Sequence, residues 1–255
     1  MIVSIDFETR STCNLRKTGV YPYALHPDTD VWVMAYAVDD GPIEVWHPGD
    51  PVPDPFLEPE EVAEYRAWNA EFERVIYAAI MARRYNFPPI PLEKWYDTAA
   101  QAAAMALPRG LGNAAEVLGL EVQKDQDGRR LMLQMSKPRR IEVDGSIVWW
   151  DEPEKIARLT EYCRTDVEVE RAIAARLPAL HPRERWVYIM DQRANTRGFK
   201  VDTELILSCQ AIMQRVTINA NKRLQQITDG EVTGVTDVNG MTAWVRRQGT
   251  EIPDL

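Results

Sequence analysis

The stretch Ser4-Ile5-Asp6-Phe7-Glu8-Thr9 lies at the end of an apolar run that opens a 255-residue chain. The run, residues 1–7, reads as a buried strand. Alternate strand residues share a face, so Asp6 and Glu8 project side by side. Two parallel carboxylates on a core strand repel each other and are costly to desolvate. A divalent cation relieves both problems, because hard metals take oxygen ligands. The alternative is an edge strand with one wet face, on which the pair is solvated. A metal site needs further carboxylates, so the choice turns on the rest of the chain.

Two segments supply candidates. In Ala67-Trp68-Asn69-Ala70-Glu71-Phe72-Glu73-Arg74, Asn69 suits an N-cap, and Phe72, Val75, Ile76, Ala79 and Ile80 repeat at helical spacing. A helix therefore starts here with Glu71 and Glu73 near its beginning. Acidic residues at a helix start also favour the helix dipole, which is the plainer explanation. The second segment is Tyr162-Cys163-Arg164-Thr165-Asp166, inside a helical stretch over residues 153–177 that carries proline in its first turn. Tyr162 and Asp166 are four apart and share a helix face. An ordinary surface helix with a half-buried tyrosine is the alternative.

In this order the segments resemble the DEDD superfamily of 3′→5′ exonucleases. Its Asp-x-Glu motif on the opening strand matches Asp6 and Glu8. Its Asn-x-x-Phe-Asp motif at a helix start matches Asn69, Phe72 and Glu73, and its late Tyr-x-x-x-Asp motif matches Tyr162 and Asp166. The tyrosine subclass is indicated, because a histidine would be expected one position before Tyr162, where Glu161 stands. Between the motifs, Trp95-Tyr96-Asp97-Thr98, Leu118-Gly119-Leu120, Lys124, Gly128, Leu131 and Ser136-Lys137-Pro138 resemble phage-type family A DNA polymerases. Residues 184–202, with Asp191-Gln192 and Asn195-x-Arg197-Gly198, resemble the passage from exonuclease into polymerase domain. One departure is Glu73, one methylene longer than the family's usual aspartate.

The resemblance implies an α/β fold, an RNase H-like mixed sheet flanked by helices, with a helical C-terminal extension. It implies an exonuclease domain over residues 1–180 and the start of a polymerase domain over 181–255. The expected activity is proofreading hydrolysis at a single-stranded or frayed DNA 3′ end, releasing a nucleotide monophosphate during DNA replication. Two divalent cations, Mg²⁺ or Mn²⁺, would be held by Asp6, Glu8, Glu73 and Asp166, with Asp6 bridging them. Tyr162 would orient the attacking water. The backbone around Phe7 and Thr9 would contact the terminal nucleotide, and Phe7 would stack on its base. Asn69 is either an N-cap, the first choice, or a substrate contact. A free-standing ribonuclease of the same superfamily and a non-catalytic nucleic-acid-binding module are the rival readings.

Composition bounds these readings. The chain is 45% hydrophobic and carries a net charge of −9. It can bury a core, and it lacks a broadly basic surface for non-specific nucleic-acid binding. The local exception is residues 124–140, where Lys124, Arg129, Arg130, Lys137, Arg139 and Arg140 face only Asp125 and Asp127. This patch either steers phosphates or is a solvated face. Trp149-Trp150 is better read as core or hairpin packing than as a base platform. Cys13, Cys163 and Cys209 have no disulfide or zinc spacing, and His26, His47 and His181 are far apart. Asp6 and Glu8 interrupt any signal-peptide pattern, and no apolar run approaches about 20 residues. The expected setting is a reducing cytoplasm, that of the host if the chain is phage-encoded, with no membrane partner.

Strands are expected at residues 1–8, 31–38, 43–46 and 65–68, the middle two joined by Asp39-Asp40-Gly41-Pro42. Helices are expected at 98–105 and 111–118, then a hairpin about Asp144-Gly145, then the helix over 153–177. Beyond a boundary at 178–182, helices are expected at 183–196, 203–226 and 238–248. That region carries no carboxylate cluster of its own, and the chain stops at 252–255 without a closing element. A missing polymerase domain is therefore expected, with Ile206, Met213, Val216 and Leu224 on an apolar stripe or on the exonuclease core.

Overall fold

The computed structural model describes residues 1–121 and 125–250. Strand β1 (Ile2–Arg10) is followed by short helices α1 (Leu15–Thr18) and α2 (Val20–Leu25), then by strands β2 (Asp30–Val38) and β3 (Ile43–Trp46). Strand β4 (Glu64–Ala67) leads into α3 (Glu71–Ile76), which continues through a π-helical turn (Tyr77–Met81) into α4 (Ala82–Arg84). Strand β5 (Trp95–Asp97) precedes α5 (Thr98–Ala104), α6 (Leu111–Val117) and α7 (Gln126–Met135). A small hairpin of β6 (Arg140–Ile141) and β7 (Ile147–Val148) delivers the chain to α8 (Pro153–Arg176). Helices α9 (Pro182–Arg197), α10 (Thr203–Ile227) and α11 (Val238–Arg247) follow.

The main sheet is ordered β3-β2-β1-β4-β5. Pairs β3–β2 and β2–β1 are antiparallel, and pairs β1–β4 and β4–β5 are parallel. This mixed sheet, with helices against it, has the RNase H-like arrangement. The β2–β3 turn works because Asp39 takes positive φ and Gly41 donates to the Val38 carbonyl at 2.8 Å. A Cβ at Gly41 would approach that carbonyl oxygen to 2.9 Å.

Strand alternation sorts the two faces of β1. Val3, Ile5 and Phe7 enter a core with Trp46, Phe56, Tyr65, Ile76 and Trp95. Ser4, Asp6 and Glu8 turn to the opposite side, toward α8. On that side Val33, Ala35 and Ala37 of β2 meet Leu159, Cys163 and Val167. These α8 residues are spaced by four and form one stripe. The small side chains of β2 let the helix lie close, and each fully buried leucine or valine contributes about 1.5–3 kcal/mol. The adjacent stripe, Tyr162, Asp166 and Glu170, is thereby carried over β1.

The sequence expectations do not include α1, α2, β5 or α7. β5 is only three residues long and owes its extended form to parallel pairing with β4. α7 forms over a charged, glycine-containing segment because Leu131, Met132 and Met135 pack beside α8.

The structure divides into compact units Met1–Thr196 and Arg197–Leu255, and the first unit runs on to residue 196. The reason is α9, whose Tyr188 donates to Asp97 at 3.2 Å and whose Gln192 accepts from Arg74 at 3.1 Å. In the second unit, Asp202 caps α10 by accepting from the Leu205 amide at 2.9 Å. Ile206, Met213 and Val216 are exposed on α10 and Leu224 is half-buried. The expected chain end at 252–255 lies outside the described residues. No described helix is long and apolar enough to cross a membrane.

Candidate metal centre

Asp6 and Glu8 leave the same face of β1, and α8 brings Asp166 over them. One carboxylate oxygen from each lies within 4.8 Å of the others. Glu8 and Asp166 are buried and Asp6 is half-buried. Three carboxylates this close are a hard-oxygen donor set suited to Mg²⁺ or Mn²⁺.

Glu73 is not one of the three. It leaves the first turn of α3, is 4% exposed, and its Oε2 has no hydrogen-bond partner among the described residues. Its carboxyl is held well above the usual carboxylate range, first by burial, then by the charge of Asp6, with Asp97 and Glu170 adding to it. A buried, orphaned carboxylate oxygen beside Asp6 is what a second cation position would require. The chemistry of these residues suits a divalent cation, and the longer Glu73 side chain keeps its carboxyl within electrostatic reach of Asp6.

Tyr162 is 1% exposed. Burial raises its hydroxyl pKa most, followed by the charges of Asp166, Glu8 and Asp6, so the phenol lies within electrostatic reach of all three acids. Two groups that sequence reasoning passed over complete the surroundings. Cys163 Sγ lies 3.3 Å from Oδ2 of Asp6, and burial with the charges of Asp6 and Glu8 keeps it a thiol. Glu170, fully buried one turn beyond Asp166, has its carboxyl pushed up to about 7 by burial. The Thr98 and Ser4 hydroxyls and the Arg66 and Arg171 charges oppose that rise. Its spacing of eight from Tyr162 and four from Asp166 was the available signal.

The structure corrects two expectations, the stacking of Phe7 and the cap at Asn69. Phe7 is 4% exposed and belongs to the core on the far face of β1, so its ring cannot stack on a base. Thr9 is buried beyond a bulge in β1, with its hydroxyl 2.8 Å from the Tyr23 hydroxyl. Asn69 is not the N-cap, since that position belongs to Ala70, without a side-chain cap. Asn69 takes positive φ instead, which asparagine tolerates, while its amide donates to Asp97 at 3.2 Å. It lines a groove of about 820 Å³ with Trp68, Glu71, Asp97 and Tyr188, leaving a substrate contact open to it.

The basic patch is less basic than its sequence. Arg130 pairs with Asp127 at 3.2 Å, Arg139 with Glu152 at 2.9 Å and Arg140 with Glu142 at 2.6 Å. Arg129 is exposed on α7, and Lys124 lies outside the described residues. The tryptophans hold cations of this chain. Trp149 packs 5.1 Å from Arg10, and Trp150 lies 4.9 Å from Arg139 and 4.7 Å from Lys155.

No protein-family model matches the chain. It is similar to a DNA polymerase of Bacillus phage SP02, with 32% identity over 269 residues. That match covers 99% of this chain, while the chain spans 40% of the length of the relative. Among solved structures, it is similar to the family B DNA polymerase from the hyperthermophilic archaeon Pyrobaculum calidifontis, at 17% identity and a TM-score of 0.44, over 69% of this chain and 24% of that one. It is also similar to a nuclease in its apo form, at 15% identity and a TM-score of 0.40, over 68% of this chain and 70% of that one.

Proposed function

We propose that this chain is a metal-dependent 3′→5′ exonuclease, the proofreading part of a phage-type family A DNA polymerase. The observation that carries the reading is the convergence of Asp6 and Glu8 on β1 with Asp166 on α8, oxygens within 4.8 Å, beside a buried tyrosine. The similarity to a phage DNA polymerase along almost the whole chain supports the polymerase link.

Asp6, Glu8 and Asp166 would hold one divalent cation, and Asp6 with Glu73 a second. Bound there, such ions lower the pKa of an attacking water and stabilise the charge on the leaving oxygen. Tyr162 stays protonated and donates or accepts a hydrogen bond that orients that water. Burial of Glu8, Glu73 and Asp166 keeps bulk water from screening the site. Asn69 contacts the terminal nucleotide from the groove it lines, and Arg129 with Lys124 steers the strand's phosphates.

The deciding experiment uses oligonucleotides, DNA and RNA, labelled at either end, with Mg²⁺, Mn²⁺ or a chelator. Stepwise shortening of DNA from its 3′ end, abolished by chelation, is expected. Metal-independent cleavage, or shortening from the 5′ end, would overturn the reading. Preference for RNA would move the assignment to a ribonuclease.

A further inference from the structure

Gly128 stands at the third position of α7, where glycine weakens a helix and no turn requires it. Its neighbours account for it. A Cβ on Gly128 would overlap Cδ2 of the Tyr162 ring and come within 2.5 Å of Oδ2 of Asp125. Neither neighbour is placed to give way. The ring is 1% exposed, in a cluster with Met135, Leu159 and Trp32. Asp125 is held on two sides: its Oδ1 accepts from the Gly128 amide at 2.9 Å, and its Oδ2 pairs with Arg158.

Arg158 lies on α8, one turn before Tyr162. The first turn of α7 is thus fastened to α8 twice. One fastening is the ion pair at Asp125, and the other is the bare Cα of Gly128 against the tyrosine ring. A phenol ring wedged this way has its tilt set by α7, and its hydroxyl moves with that tilt.

We infer that Gly128 is a positioning residue for phosphodiester hydrolysis: the first turn of α7 is a clamp that fixes the angle of the Tyr162 ring and so the place of its hydroxyl beside Asp166. The inference rests on the role given to Tyr162 above. It runs against helix propensity, because alanine at a helical glycine ordinarily strengthens the helix.

The test is a double-mutant cycle on the full chain, with single-turnover release of a 3′-terminal nucleotide from single-stranded DNA in Mn²⁺. Gly128→Ala should lower the rate about ten- to a hundredfold, with substrate affinity nearly unchanged. In a Tyr162→Phe background the same substitution should change the rate less than about twofold. Thermal unfolding of each variant checks folding. Arg158→Met, which loosens Asp125 without adding an atom at the ring, should give the same background-dependent loss in smaller measure, and serves if Gly128→Ala does not fold. A Gly128→Ala rate equal to the parent's, or an equal loss in both backgrounds, overturns the clamp while leaving the role of Tyr162 standing. A silent Tyr162→Phe removes that role and the clamp with it.

Discussion

The thiol of Cys163 donates toward Oδ2 of Asp6 across 3.3 Å, from a helix to a strand 157 residues earlier in the chain. Sγ also lies 3.5 Å from the Asp6 backbone carbonyl. Groups that orient a ligand commonly matter for metal affinity nearly as much as the ligand itself. Cys163→Ala should therefore weaken Mn²⁺ binding about tenfold. Cys163→Ser retains a donor and should stay within about threefold of the parent. Isothermal titration with Mn²⁺ measures both, and equal affinity for the alanine variant would remove Cys163 from the centre.

Asp6 is the acid shared by the convergent group and by Glu73. Asp6→Ala removes like-charge repulsion from a largely buried site. Its melting temperature in chelator should equal or exceed the parent's. The parent should gain about 2.7 kcal/mol in Mn²⁺ at a hundred times Kd, and the variant should lose most of that gain. Retention of the full cation-induced shift by Asp6→Ala would sink the metal assignment.

Glu170 makes stability depend on pH. Its carboxyl, pushed up to about 7 in the folded chain, has an ordinary value of 4.5 when unfolded. Between these values the folded state binds a proton that the unfolded state has released. Stability from this group is therefore greatest below pH 4.5 and falls as pH rises toward about 7. Glu170→Gln removes the dependence. In chelator, urea unfolding should show the variant gaining on the parent from pH 5 to pH 8, by at most ~3 kcal/mol. A constant difference across that range would contradict the buried neutral carboxyl.

Glu73 already reaches the neighbourhood of Asp6 with its longer side chain. Shortening it should withdraw the carboxylate and leave a void where Oε2 is buried. Glu73→Asp should thus reduce exonuclease rates with Mg²⁺, which demands near-ideal octahedral geometry, and less so with Mn²⁺. A rise in Mg²⁺-supported rate would show that the helix is not adapted to glutamate. No change with either cation would show that Glu73 is not a ligand.

Local periodicity determined much of this protein from its sequence. Alternation on β1 put Asp6 and Glu8 on one face, and the four-residue spacing put Tyr162 and Asp166 on another. The hairpin at Asp39-Asp40-Gly41-Pro42 and the long α8 were legible for the same reason: turn chemistry and apolar repeats act within a few residues. Tertiary structure decided what depends on distant partners. β5 is extended because β4 lies beside it, and Phe7 is core because the strand's other face carries the acids. Asn69 left the cap position because Asp97, 28 residues on, takes its amide. Glu142 and Glu152, beyond the basic segment, offset Arg140 and Arg139. The meeting of Asp6 and Glu8 with Asp166 belongs to this second class. Like charges do not attract, so the three are held together by the apolar packing of α8 on β2, which no single segment encodes.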